Sequence, residues 1–283
     1  MTCVRTIAET RCHVAEARRT GLGIALVPTM GALHPGHGVL IDWARRPADF
    51  RVVSIFVNPT QFDRREDFEA YAINLNADLE FCAARGVDLV FAPSAAEMYP
   101  VPLSTRIEVT GLADHLCGPF RPGHFQAVAT VVAKLFQIVA PDRAYFGEKD
   151  AQQLAVIQRM VADLNMPIEI VPVPTVREPD GLALSSRNAR LTPEQRAAAP
   201  ILYRSLERAL QSLAAGSRSA SEVRQTALEV LAEIPPLRVE YLEVVDAATL
   251  APVETVTGPV LIAAAVWLGA TRLIDNVAAD VRP

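Results

Sequence analysis

Apolar runs of strand length alternate with helix-period segments through roughly the first 176 residues. That alternation is the pattern of a parallel sheet covered by helices. It predicts an α/β fold: a doubly wound, Rossmann-like domain with strands at Gly23 to Thr29, Arg51 to Val57, Val87 to Ala92, Arg143 to Phe146 and Ile168 to Val176. The segment Ala127 to Val139 is apolar nearly all round and predicts a buried helix, with the stem of Lys134 snorkelling to solvent. After Val176 both periods lapse in REPDGLALSSRNARL, where Pro179, Asp180 and Gly181 signal a turn. The domain boundary is placed there, giving residues 1–176 and 177–283. Thr192, Pro193 and Gln195 supply an N-cap, a proline at the first helical position and a capping-box partner, so a helix starts at that point. Two helices and a few short strands, among them Val239 to Val245 and Pro259 to Leu268, predict a smaller C-terminal α+β lid domain.

The 283-residue length suits one large domain and one small one, and 51% apolar, 21% charged and 6% aromatic residues are ordinary for a globular chain. A net charge of -5 argues against a nucleic-acid partner, since phosphate-tracking surfaces concentrate positive charge. The basic doublets at Arg18, Arg45 and Arg64 read as solvated helix faces. Cys3, Cys12, Cys82 and Cys117 show no CxxC pair or metal-ligand spacing and read as reduced thiols. The N-terminus has no signal-peptide core, and the apolar stretch Val260 to Ala270 is too short to span a bilayer. The expectation is a cytoplasmic protein with no membrane partner.

Chemistry gathers where predicted strands end. In VPTMGALHPGHGVL the strand ending at Thr29 meets a glycine turn, then His34, Pro35, Gly36 and His37 at the mouth of a helix. A helix N-terminus beyond a parallel strand is an anion site, and two histidines three apart can both aim a ring N–H at phosphoryl oxygens. A pair of exposed or capping histidines is the competing account, and a metal site is another, though no third His, Cys or well-spaced carboxylate lies near in sequence. The strand before, the helix after and the glycine between make the motif resemble the HxGH signature of the nucleotidyltransferase superfamily, whose members attack the α-phosphorus of ATP.

Four further stretches sit at similar junctions. SIFVNPTQF ends in Asn58, Pro59 and Gln61, uncharged amides able to bind hydroxyls and a carboxylate, or simply a polar turn. YFGEKDAQQL places Gly147, Glu148, Lys149 and Asp150 before a helix that begins with Gln152 and Gln153. Lys149 is a movable charge for polyphosphate, and Glu148 or Asp150 could hold ribose hydroxyls or magnesium, while a solvated charged loop is the bland alternative. Leu184 to Asn188, LSSRN, forms a phosphate clamp if Ser185, Ser186 and Arg187 close over a nucleotide, or else a solvated linker. In RPGHF, Arg121 and His124 could anchor a phosphate or a carboxylate, with a surface turn as the other account.

In this order the five stretches resemble the pantothenate synthetase family over nearly the whole chain. The resemblance implies ATP-dependent condensation of pantoate with β-alanine through a pantoyl adenylate, a homodimer, magnesium, and a second domain that closes on ATP. Carried over residue by residue, it puts the ATP site on Met30, Gly31, Ala32, Leu33, His34, Pro35, Gly36 and His37, on Gly147, Glu148, Lys149 and Asp150, on Val176, and on Leu184, Ser185, Ser186 and Arg187. It makes His37 the catalytic donor, with His34 and Lys149 as partners. Gln61 is given contacts to pantoate and β-alanine, Gln153 to pantoate, and Asp78 a place as magnesium ligand, with Asn58, Tyr71, Arg121 and His124 as lesser transfers. The chain departs from the family pattern at Ala72, Ile73, Ala127 and Pro179, which touches the shape of the Tyr71 loop.

Overall fold

The computed structural model describes residues 1–62, 68, 71, 74–234 and 237–281. Its first sheet contains β1 (Thr2–Val4), β2 (Gly23–Thr29), β3 (Asp49–Ile55), β4 (Leu89–Phe91), β5 (Arg143–Gly147) and β6 (Glu169–Val173), all parallel, in the order β1-β4-β3-β2-β5-β6. Parallel neighbours need crossovers. These run through α1 (Ile7–Arg19), α2 (Pro35–Trp43), α3 (Leu75–Ala84), the short α4 (Ala95–Met98), α5 (His124–Val139) and α6 (Ala151–Asp163). The doubly wound parallel sheet is therefore present. Its central strands are apolar runs because both faces are covered: Ile24, Ala25, Leu26, Val52, Val53, Leu89 and Val90 are all fully buried.

Local signals explain where the helices begin. Thr6 caps α1 in a reciprocal box with Glu9, and Thr192 with Gln195 does the same for α7 (Pro193–Ala198), as TPEQ predicts. α5 begins at His124, three residues earlier than its apolar run suggests, and buries twelve of its sixteen residues. Its Lys134 reaches out so that Nζ lies 5.5 Å from the centre of the Tyr99 ring.

The chain divides into two compact units, Met1–Val109 with Arg121–Glu148 and Val156–Pro174, and Thr110–Phe120 with Lys149–Ala155 and Thr175–Pro283. The second unit thus includes two stretches that precede residue 176 in sequence. Gln152 explains one of them. Its buried amide accepts from Cys117 N (3.0 Å) and donates to Leu112 O (2.8 Å) and His115 O (2.7 Å), stapling 110–120 to the first turn of α6.

The core of the second unit is formed by α8 (Ile201–Ala214) and α9 (Ala220–Leu231) on an antiparallel sheet, β7 (Leu237–Asp246), β8 (Pro259–Leu268) and β9 (Thr271–Asp280). Three ten-residue strands replace the few short ones expected, and β9 is one that the sequence pattern does not predict. The apolar stretch from Val260 is the central strand β8, and no helix among the described residues is long and apolar enough to cross a membrane. Arg64, Ala72 and Ile73 lie outside the described residues.

One polar cluster ties all three strands of this sheet. Glu240 on β7 accepts from Trp267 Nε1 on β8 (2.8 Å) and from Arg272 Nε on β9 (2.8 Å). Burial alone would raise the Glu240 carboxyl, but the hydrogen bonds and charge of Arg272 and the indole N–H outweigh it and hold the group below the usual carboxylate range. A depressed folded-state value means that the pair stabilises the fold above the unfolded-state pKa, and that this contribution is lost as pH falls through the folded one. Glu240→Gln is expected to reduce stability by roughly 3 kcal/mol at neutral pH, because Arg272 is left buried without its counter-charge. Urea unfolding of the two proteins, repeated down to about pH 3, should show the difference shrinking below the ordinary Glu range near about 4.3. A pH-independent difference would contradict this.

Candidate active site

β2 and β5 are neighbours at the place where the sheet order reverses, since β3 and β4 follow on one side of β2 and β5 and β6 on the other. Ligands of open α/β sheets collect beyond the carboxyl ends of strands at such a point. β2 ends at Thr29, whose Oγ1 donates to Ser54 O of β3 (2.8 Å) and accepts from Gly31 N (3.2 Å). Gly31 (φ +78°) and Ala32 (φ +51°) then take left-handed backbone. Gly31 is required twice over: its φ favours glycine, and a Cβ there would stand 2.8 Å from Asp78 Oδ2 and 3.1 Å from Ile55 Cγ2.

The left-handed turn brings consecutive amides round to one carboxylate. Asp78 on α3, only 3% exposed, accepts from Ala32 N through Oδ2 (3.0 Å) and from Leu33 N through Oδ1 (2.8 Å). A carboxylate remote in sequence, the one to which the family resemblance gives a place as magnesium ligand, therefore lies against the turn that leads into the histidine motif. The chain leaves the turn with His34 as extended N-cap of α2. His34 Nδ1 accepts from Gly36 N (3.2 Å), and His37 Nδ1 accepts the His34 N–H (3.3 Å). A ring nitrogen that accepts carries no hydrogen, so each neutral imidazole holds its hydrogen on Nε2. Both histidines thus take part in the cap through Nδ1, with Nε2–H groups able to donate and ring centroids 4.1 Å apart.

Past β3, Asn58 caps a turn of Pro59–Gln61. Its Oδ1 accepts from Thr60 N (3.3 Å) and Tyr99 Oη (2.9 Å), and its Nδ2 donates to Gln61 Oε1 (3.2 Å). Gln61 Nε2 in turn donates to Met30 Sδ at 2.7 Å, so the amide of one strand end meets the first residue after another.

In the second unit the turn at Pro179, Asp180 and Gly181 forms as its residues predict. Gly181 (φ +92°) donates to Glu178 O (2.9 Å), and Leu184 N donates to Val176 O (2.9 Å), which sets Val176 beside Leu184. Ser185 then caps a short turn over Ser186–Arg190, its Oγ accepting from Arg187 N (3.2 Å) and keeping its own O–H to donate. Lys149, Ser185, Arg187 and Arg272 line one small cavity, so three candidate residues from two separate stretches come together. Strand β9 fixes both segments. Asn276 Nδ2 donates to Lys149 O (2.9 Å), and Asp275 holds Arg177 in a two-pronged ion pair at 2.5 and 3.0 Å.

Residues 2–278 match the family model described as pantoate–β-alanine ligase. The chain belongs to that family. A pantothenate synthetase of Moorella thermoacetica is 54% identical over 281 residues, covering 99% of each chain. The solved pantothenate synthetase of Thermus thermophilus superposes with a TM-score of 0.91 at 47% identity over 100% of both chains. The pantoate–β-alanine ligase of Francisella tularensis, solved with β,γ-ATP and β-alanine, gives 0.80 at 34% identity over 98% of this chain and 97% of that one.

The other candidate residues take these places in the fold. Arg121 and His124, expected to anchor a phosphate or carboxylate, point at the backbone carbonyl of Gln61. Both Asp78 oxygens already serve the Ala32 and Leu33 amides, and no group of three His, Cys, Asp or Glu that could hold a metal occurs among the described residues. Gln153 is half-buried on α6, and Ala127 sits part-way along the first turn of α5. The roles of Gln152, Tyr99, Asp275 and Asn276 went unread because each depends on a partner remote in sequence.

If Asp78 works by holding the turn, Asp78→Asn should weaken the fold even without metal, since the new amide N–H would face a backbone N–H. We expect a loss of roughly 1.5 to 3 kcal/mol in denaturant unfolding carried out in EDTA. Unchanged stability in EDTA would mean that the carboxylate serves only a ligand.

Proposed function

We propose that the protein condenses (R)-pantoate with β-alanine, consuming ATP and releasing AMP and pyrophosphate through a pantoyl adenylate. The observation that carries this reading is the pair of Nδ1-capped histidines at the sheet's reversal point, because it aims two Nε2–H donors from a helix N-terminus. Family membership and the ATP and β-alanine bound to the Francisella relative support the choice of substrates.

In the first step the pantoate carboxylate attacks the α-phosphorus and pyrophosphate leaves. In the second the β-alanine amine attacks the acyl carbon and AMP leaves. No enzyme nucleophile is required, so catalysis consists of holding the carboxylate in line and aiming donors at charge that grows on phosphoryl oxygens. His37 is assigned as the catalytic donor with His34 beside it, and Lys149, Ser185, Ser186 and Arg187 hold phosphates. Met30 to His37, Gly147 to Asp150, Val176 and Leu184 to Arg187 form the ATP-binding set; Gln61 and Gln153 bind pantoate, and Gln61 also binds β-alanine. ATP and pantoate binding is assigned to residues 1–176, with 177–283 as the smaller domain that contributes Ser185 to Arg187.

Magnesium belongs to the proposal as the companion of ATP. The ion needs only one or two protein carboxylates when phosphates and water complete its shell. Each Asp78 oxygen keeps a further lone pair, so the side chain fits as a single ligand and not as part of a protein cage. When bound, the ion would neutralise charge on the phosphate oxygens. The family resemblance extends the proposal to a homodimer working in the cytoplasm.

Incubation with ATP, magnesium, pantoate and β-alanine, followed by mass spectrometry, should yield pantothenate with stoichiometric AMP. Pyrophosphate without AMP would point to an enzyme that keeps the adenylate in its product, and would defeat the proposal. His37→Ala and Lys149→Ala should each lose about 2.7 to 4 kcal/mol of transition-state stabilisation, or roughly 100- to 1,000-fold in kcat. Wild-type turnover by either folded variant would remove its assigned role.

A further inference from the structure

Gln61 is held at its backbone carbonyl by two side chains from another part of the chain. Arg121 Nη2 donates to Gln61 O at 3.1 Å, and His124 Nδ1 lies 2.9 Å from the same oxygen. The remaining ring nitrogen, His124 Nε2, lies 3.0 Å from Arg121 Nη1. A carbonyl can only accept and a guanidinium can only donate, so the roles of both ring nitrogens are determined. Nδ1 must carry the hydrogen and Nε2 must be bare. An imidazolium would set N–H against N–H at the arginine contact. His124 is also 9% exposed at the head of α5, which leaves little room for the ring to turn over.

We infer that Arg121 and His124 are positioning residues for Gln61, with His124 locked as the neutral Nδ1–H tautomer. This is the opposite of the Nε2–H form that the cap geometry assigns to His34 and His37. Two donors on one carbonyl fix the end of the Pro59–Gln61 turn, while Asn58 and Met30 engage the Gln61 side-chain amide. Backbone and side chain are therefore restrained independently. The amide is set before a substrate arrives, which removes an ordering penalty from binding. The link to substrate affinity rests on the proposed role of Gln61 toward pantoate.

The test uses the full-length protein labelled with 15N-histidine, together with three His124 variants. Long-range 1H–15N spectra at neutral pH, assigned with those variants, should show His124 neutral with its hydrogen on Nδ1. A hydrogen on Nε2, or on both nitrogens, overturns the lock whatever the protein catalyses. In steady-state assays His124→Ala and His124→Gln should raise KM for pantoate about tenfold while KM for ATP stays within about twofold. His124→Asn should recover most of the loss, because its Nδ2 occupies the place of the imidazole Nδ1 and restores the donor to Gln61 O. Equal effects on both substrates, or no rescue by asparagine, overturn the positioning role. If the unaltered protein forms no pantothenate, the substrate reading has failed and the link to pantoate falls with it, while the tautomer measurement still decides the geometry.

Discussion

Two backbone amides turned into one buried carboxylate organise the polar end of the first unit. Ala32 takes a left-handed conformation that costs about 1 kcal/mol or more for a residue with a side chain, and Gly31 fits only because it has none. Hydrogen bonds to a charged acceptor contribute roughly 1.5 to 3 kcal/mol each, so the Ala32 and Leu33 contacts to Asp78 more than offset that strain. Without the reversal, the chain would not leave β2 with His34 extended at the start of α2. The cap then fixes both imidazoles through Nδ1 and leaves Nε2 as donor. Strand end, strained turn and helix cap form one device, and the catalytic proposal depends on all three.

The same economy recurs elsewhere. A backbone carbonyl, or a neighbouring side chain, of a segment assigned to substrate is tied down by a side chain from a distant element, in addition to the local caps. Asn276 grips the Lys149 carbonyl, and Asp275 grips Arg177 within the Val176 to Leu184 hairpin. Arg121 and His124 grip the Gln61 carbonyl. Ser185 accepts from Arg187 N and still has a hydroxyl hydrogen to give.

Much of this was legible in the chain because it is local. The strand from Gly23 to Thr29, the cap at Thr192 and the turn at Pro179 to Gly181 follow from neighbouring residues alone and occur where those residues put them. The HxGH stretch declares a strand, a glycine turn and a helix start within fourteen residues, so it was readable as an anion site before any partner was known. Long-range pairings were not legible. Asp78 lies 46 residues from Ala32, and His124 lies 63 from Gln61, so adjacency could not reveal either contact. β1, with three residues, is too short to show a period, and in β9 the polar pair Asp275 and Asn276 interrupts the apolar pattern because both are spent on partners.

The central claim is that the histidine pair is set by its caps to present two Nε2–H donors to a nucleotide. Histidine side-chain 1H–15N spectra of the labelled protein, recorded with and without ATP in the absence of metal, test it most directly. The account predicts that neutral His34 and His37 both carry hydrogen on Nε2, and that these two Nε2 signals move when ATP binds. A hydrogen on Nδ1 of either ring, or ATP binding that leaves both Nε2 signals in place, would contradict it.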